Sequence, residues 1–148
     1  MDLREIELRK RIARYEDEGH GECWLREPAI GRLVEDALLK FDGQRYRLLA
    51  WCVMPNHVHV MIETLKGFTL SGVLHSWKSF TANEANRMLG RKGEFWRREY
   101  LDRYVRNAEH YSNALRYIEG NAATAGLVKF PADWPFTSAR YREEKKGV

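Results

Sequence analysis

Two apolar, β-branched runs separated by Pro55-Asn56 constrain this chain more than any other feature. Residues 46–54 and 57–63 are rich in strand-forming side chains, and Pro-Asn between them is a turn signal, so the pair reads as an antiparallel hairpin. Successive side chains of a strand point to opposite faces. His57 and His59 therefore project together, whereas Val58, Val60 and Ile62 line the other side and predict a core. Two neutral imidazoles at alternate positions can hold one divalent cation and leave its other positions open. The same pattern suits two polar residues on a solvated sheet face, so the rest of the chain must separate these readings.

With 148 residues, 44% of them hydrophobic, one domain can bury a core without disulfides or a structural metal. Cys23 and Cys52 lack the paired spacing of a zinc knuckle and read as small packing residues in a reducing compartment. The charged N-terminus and the lack of an apolar run near 18 residues argue against a signal peptide and a membrane span. A cytoplasmic, nucleoid-associated protein is expected, with no membrane partner.

The net charge of +4 is concentrated. Residues 78–106 hold 8 basic and 4 acidic side chains, and this excess equals that of the whole chain. Phe95, Trp96, Tyr100 and Tyr104 are interleaved with Lys78, Arg97, Arg98, Arg103 and Arg106, a composition suited to neutralising phosphates and stacking bases. The same composition also fits a solvated helix end and a strand whose aromatics are core.

Apolar periodicity predicts four helices and three strands. Leu3, Ile6, Ile12 and Tyr15 recur at helical intervals and predict an amphipathic helix over 3–18, ended by Gly19 and Gly21. Pro28 suits a first helical turn, and Ile30, Leu33, Val34, Ala37, Leu38 and Phe41 form a stripe running to Asp42-Gly43. A long helix follows over about 69–88, a third strand over 97–105 and a helix over 108–120. The charged run 142–146 reads as a solvated tail.

At about 100° per residue, Tyr117 points away from the buried stripe of Tyr111, Leu115 and Ile118, and Asn121 lies one turn beyond it on the same flank. A phenol at such an edge is ordinarily a packing residue. Beside a cation held by two histidines it is a competent nucleophile toward phosphorus, and an amide oxygen is a third ligand candidate.

The ordered blocks LLAWCVMPNHVH at 48–59, HSWKSFTA at 75–82, FWRREYLDRYVR at 95–106 and RYIEGN at 116–121, followed by AGLV at 125–128, DWP at 133–135 and SAR at 138–140, resemble the REP-associated tyrosine transposases. These are HUH endonucleases related to the small tyrosine transposases of insertion sequences. The resemblance implies an α+β fold, a ferredoxin-like antiparallel sheet backed by helices. It implies His57, His59 and Asn121 as metal ligands, Mg2+ or Mn2+ as the cation, and Tyr117 as the nucleophile that cleaves and rejoins single-stranded DNA through a 5′-phosphotyrosine. Single-stranded or hairpin DNA is the implied partner, contacted by Lys78, Trp96, Arg97, Arg98, Arg103, Arg106 and Arg116, and a homodimer is an open assembly. Relatives carry a strand before the first helix, centrally beside the His-x-His strand. This chain is read as starting in helix, so residues 1–148 are expected to form a single, N-terminally short domain lacking that strand. Where the family has Asn-Pro-Val-Lys, this chain has Asn121-Ala122-Ala123-Thr124.

Three other readings fit less of the chain. A histidine-triad hydrolase needs a third His where Met61 stands, and a structural metal module needs more strong ligands than two histidines and Asn121. A catalytically impaired DNA-binding relic follows if the absent strand leaves the site unsupported.

Overall fold

A computed structural model describes residues 10–146. The four strands β1 (Lys10–Asp17), β2 (Tyr46–Val53), β3 (His57–Thr64) and β4 (Trp96–Tyr104) form one antiparallel sheet in the order β2-β3-β1-β4. Helices α1 (Pro28–Lys40) and α2 (Leu70–Leu89) cover one face, and α3 (Ala108–Glu119) covers part of the other. A short α4 (Asn121–Thr124) follows α3, and α5 (Ser138–Lys146) is the last described element. The 142–146 segment, expected as a tail, thus belongs to a helix. Among the described residues no helix is long and apolar enough to cross a membrane.

The helix expected over 3–18 is not what residues 10–17 form. Its Leu3 and Ile6 lie outside the described residues, and Lys10–Asp17 is a strand between β3 and β4. The fold therefore does not lack a strand beside the histidines, contrary to the expectation from sequence. Alternation explains the outcome: Ala13, Tyr15 and Asp17 are buried on the helix-packed face, while Ile12, Arg14 and Glu16 turn to the histidine face. The Ile12/Tyr15 spacing resembles helix only because both residues are apolar. Tertiary partners override that local pattern: the Tyr15 ring meets Trp96 edge-on at 4.9 Å and stacks on Trp77 at 6.4 Å. The strand ends where the Asp17 carboxylate accepts the Gly19 N–H at 3.0 Å.

The main core joins the Val58, Val60 and Ile62 side of β3 to the stripes of α1 and α2. Pro28 occupies the first turn of α1 as expected, and the Thr69 hydroxyl caps α2 by accepting the Gly72 N–H at 3.0 Å. Within this core Trp77 donates to the Tyr46 hydroxyl at 3.0 Å, so the buried indole N–H is satisfied.

The histidine face is also partly core. Ala50, Cys52, Met54 and Met61 pack under Ala114, Ile118 and Ala122 of α3 and α4, a second and smaller cluster. The two outer strands differ. β2 is covered by the 134–138 segment, where Val53 N–H donates to the Phe136 carbonyl at 2.9 Å and the Trp134 indole to the Val53 carbonyl at 2.8 Å. Among the described residues no strand pairs with the outer edge of β4, which carries Arg97, Arg98, Glu99, Asp102 and Arg103, the charged pattern that discourages edge-to-edge pairing.

Candidate functional site

The site lies where the cover of α3 over the sheet ends. The hairpin turn places His57 first in β3, with Met54 N–H donating to the His57 carbonyl at 2.8 Å. The neighbouring Asn56 carbonyl accepts the Asp17 N–H at 3.0 Å, tying the turn to the central strand. Alternation then puts the two imidazoles side by side, with ring centroids 4.9 Å apart.

Tyr117 reaches this pair from α3. Its ring centroid is 5.5 Å from that of His59, and 57% of its surface is exposed, so the phenol sits over the histidine without being buried. The Asn107 side chain caps the helix by accepting the His110 N–H at 2.8 Å, and Ala114 and Ile118 anchor it on the sheet. The helix expected over 108–120 is observed as Ala108–Glu119, and Asn121, expected one turn beyond Tyr117, opens the separate short α4 after a break at Gly120. A Cβ at Gly120 would come within 2.9 Å of the Arg116 carbonyl, so the break needs glycine. Asn121 opens the new turn, near enough to His57 to favour its protonated form.

Both histidines are held neutral. Burial, reinforced by the Arg14 guanidinium, pushes His57 down to about 4, although Glu16 and Asn121 pull the other way. Burial also lowers His59 to about 4, with His57 and Arg14 adding to the effect. Neutral imidazole is the metal-binding form. His57 Nδ1 lies 2.8 Å from the Asn56 amide oxygen, which fixes the orientation of the ring. His59 Nε2 is buried with no hydrogen-bond partner, a cost that coordination to a cation would remove. This donor set fits a divalent cation of borderline or hard character. Among the described residues no group of three or more His, Cys, Asp and Glu gathers to hold a metal, here or elsewhere, so a third protein donor at this site has to be an amide or a phenol.

A groove of about 320 Å³ opens beside this constellation, lined by His59, Tyr117, Arg14, Leu101 and Arg103. Arg14 and Glu16 are functional candidates that sequence reasoning misses. Their positions depend on β1, in which Arg14 stands opposite His59 and Glu16 opposite His57.

The residues expected to contact DNA divide. Arg97 and Arg103 share the histidine side of the sheet, and Arg106 and Arg116 are exposed near α3. Arg98 is open to solvent apart from a 3.5 Å ion pair to Glu94. Lys78 is partly committed: its ammonium donates to the carbonyls of Arg97 and Arg98 at 2.6 and 3.3 Å, pinning β4 to α2. Trp96 corrects the expectation of a stacking platform. It is only 5% exposed and donates to the Thr81 hydroxyl at 2.9 Å, so a base reaches its face only if the core opens. Phe95 is likewise buried, leaving Tyr104 as the open aromatic of that segment, with the Arg11 guanidinium 4.2 Å from its ring centroid.

Comparison with known proteins agrees with this architecture. A structure of a REP-associated tyrosine transposase bound to a REP hairpin superposes with a TM-score of 0.75 at 21% identity, over 97% of this chain and 83% of the other. A putative transposase from Deinococcus radiodurans R1 superposes with a TM-score of 0.52 at 18% identity, over 75% and 88% of the two chains. No curated protein matches the sequence. The family model for IS200-like transposases matches residues 31–121, which include the hairpin, the long α2, β4 and α3 through Asn121. The chain belongs to the IS200-like transposases.

Proposed function

We propose that this chain cleaves and rejoins single-stranded DNA beside hairpin-forming repeats, with Tyr117 as nucleophile. The observation that carries the reading is the succession of Tyr117, His59 and His57 over one patch of the sheet, with ring centroids 5.5 and 4.9 Å apart and Asn121 near His57. A divalent cation, Mg2+ or Mn2+, held by His57, His59 and Asn121 would polarise a non-bridging oxygen of the scissile phosphate. The Tyr117 phenolic oxygen forms a bond to phosphorus as the bond from phosphorus to the 3′-oxygen breaks. The phenol proton passes to solvent, and the departing 3′-oxygen takes one up. The products are a free 3′-hydroxyl and a 5′-phosphotyrosine. A second 3′-hydroxyl reverses the exchange, so strands are joined with no external energy source.

The hairpin substrate is proposed by analogy with the REP-hairpin complex. The exposed Arg97, Arg98, Arg103, Arg106 and Arg116 support it as cations for the backbone phosphates. The catalytically impaired alternative requires a missing central strand, and β1 occupies that position.

The test is a denaturing gel. Hairpin-flanked single-stranded DNA with Mn2+ is expected to yield a protein-DNA adduct that survives detergent and heat, and chelation of the cation before mixing is expected to abolish it. An adduct formed equally well in chelator would remove the metal from the reading. Failure with every hairpin-flanked strand in Mn2+ would remove the strand transfer.

Binding gives a separate expectation. If Arg97 and Arg98 neutralise phosphates, the double alanine variant binds more weakly, and its slope of log affinity against log salt shrinks by about 0.7 for each phosphate no longer neutralised. An unchanged slope in a filter-binding titration would place the DNA elsewhere.

A further inference from the structure

Arg14 places a cation beside two histidines that are themselves candidate cation ligands, and that juxtaposition needs a reason. Directly opposed residues of an antiparallel pair share a face at close range, and Arg14 opposes His59. The same guanidinium lines the groove that holds Tyr117. One of its terminal nitrogens pairs with Glu16 at 3.0 Å, while its Nε is buried with no hydrogen-bond partner. Glu16 also receives Arg97 at 3.2 Å, so one carboxylate lies between two guanidinium groups. A carboxylate held in this way occupies the geometry that phosphate oxygens take between arginines.

A positive charge beside a metal site is unfavourable unless an anion lies between them. The anion in the reaction proposed above is the scissile phosphodiester, whose negative charge grows as the phosphorus becomes five-coordinate. We propose that Arg14 contacts the scissile phosphate on the side away from the metal ligands, with Glu16 engaging its guanidinium until DNA enters. The inference rests on the strand-transfer reading and adds a residue to it. Arg14 neutralises the phosphoryl oxygens through the terminal nitrogens of its guanidinium, which Glu16 engages until then.

The test compares wild type, Arg14→Gln and Arg14→Lys in three measurements: the rate of adduct formation with Mn2+, hairpin affinity in chelator, and Mn2+ affinity by calorimetry without DNA. Arg14→Gln is expected to slow adduct formation by about 100-fold, the scale of removing one transition-state donor. Arg14→Lys, which keeps the charge but not the planar fork, recovers part of the rate. Hairpin affinity falls by much less than the rate. Mn2+ affinity rises or holds in Arg14→Gln, because a neighbouring positive charge has gone. This pattern distinguishes phosphate contact from a scaffolding role.

Adduct formation by Arg14→Gln at the wild-type rate would overturn the inference. Loss of Mn2+ binding together with loss of adduct would also overturn it, because Arg14 would then be supporting the histidines. No adduct from wild type would overturn the strand-transfer reading and this inference with it, a result readily distinguished from the other two.

Discussion

Tyr117→Phe is expected to form no denaturation-resistant complex with DNA, a loss of at least about 10⁴-fold, since nucleophile removal has effects of that order or larger. Hairpin affinity should stay within about twofold, the range of a surface substitution that creates no strain. The structure explains why the two effects separate. The Tyr117 ring lies over His59 and is more than half exposed, while the helix is held by Ala114 and Ile118. Phenylalanine keeps the ring and its packing on His59, and removes only the oxygen. A persistent adduct would move the nucleophile to another side chain. Tyr111 lies on the same helix, and Tyr104 is the exposed phenol at the end of β4.

The second large effect concerns stability. Tyr15→Ala is expected to lower the free energy of unfolding by about 3–5 kcal/mol, the usual cost of truncating a fully buried aromatic side chain. That is a substantial part of the stability of a domain of this size. Tyr15 is 1% exposed in the central strand and touches both Trp77 and Trp96, so its removal opens a cavity between the sheet and α2. Urea denaturation reads the change directly. A destabilisation below about 1 kcal/mol would instead match a tyrosine on an exposed amphipathic helix.

The hairpin is readable because its alternation is strict and Pro55-Asn56 breaks it at one point. Both long helices on the main core are readable for the same kind of reason: Pro28 begins one, and Thr69 caps the other before a clear apolar stripe. The pairing of Tyr117 with Asn121 comes from helical geometry. In the structure Gly120 ends α3 and Asn121 opens α4, near enough to His57 to act on its charge.

Other features depend on partners remote in sequence. Residue 15 becomes part of a strand because Trp77 and Trp96 receive it, and neither is within reach of a local pattern. Arg14 and Glu16 join the site only through that strand. Trp96 sits among arginines in sequence, yet it is core because it is the inward position of an alternating strand and Thr81 meets its indole N–H. Lys78 belongs to the same basic cluster but turns to backbone carbonyls of β4. Charge composition locates the basic surface; it does not tell which of its side chains are already engaged.

The most direct test of the central claim is to find the atom that carries the DNA. The wild-type adduct, formed with Mn2+ and trimmed by nuclease, is digested with trypsin and mapped by tandem mass spectrometry. Cleavage after Arg116 and Lys129 leaves residues 117–129 as a peptide with Tyr117 as its sole tyrosine. A 5′-phosphonucleotide mass on that tyrosine is the expected result, and the same mass on Tyr104, Tyr111 or any other side chain would contradict the assignment of Tyr117 as nucleophile.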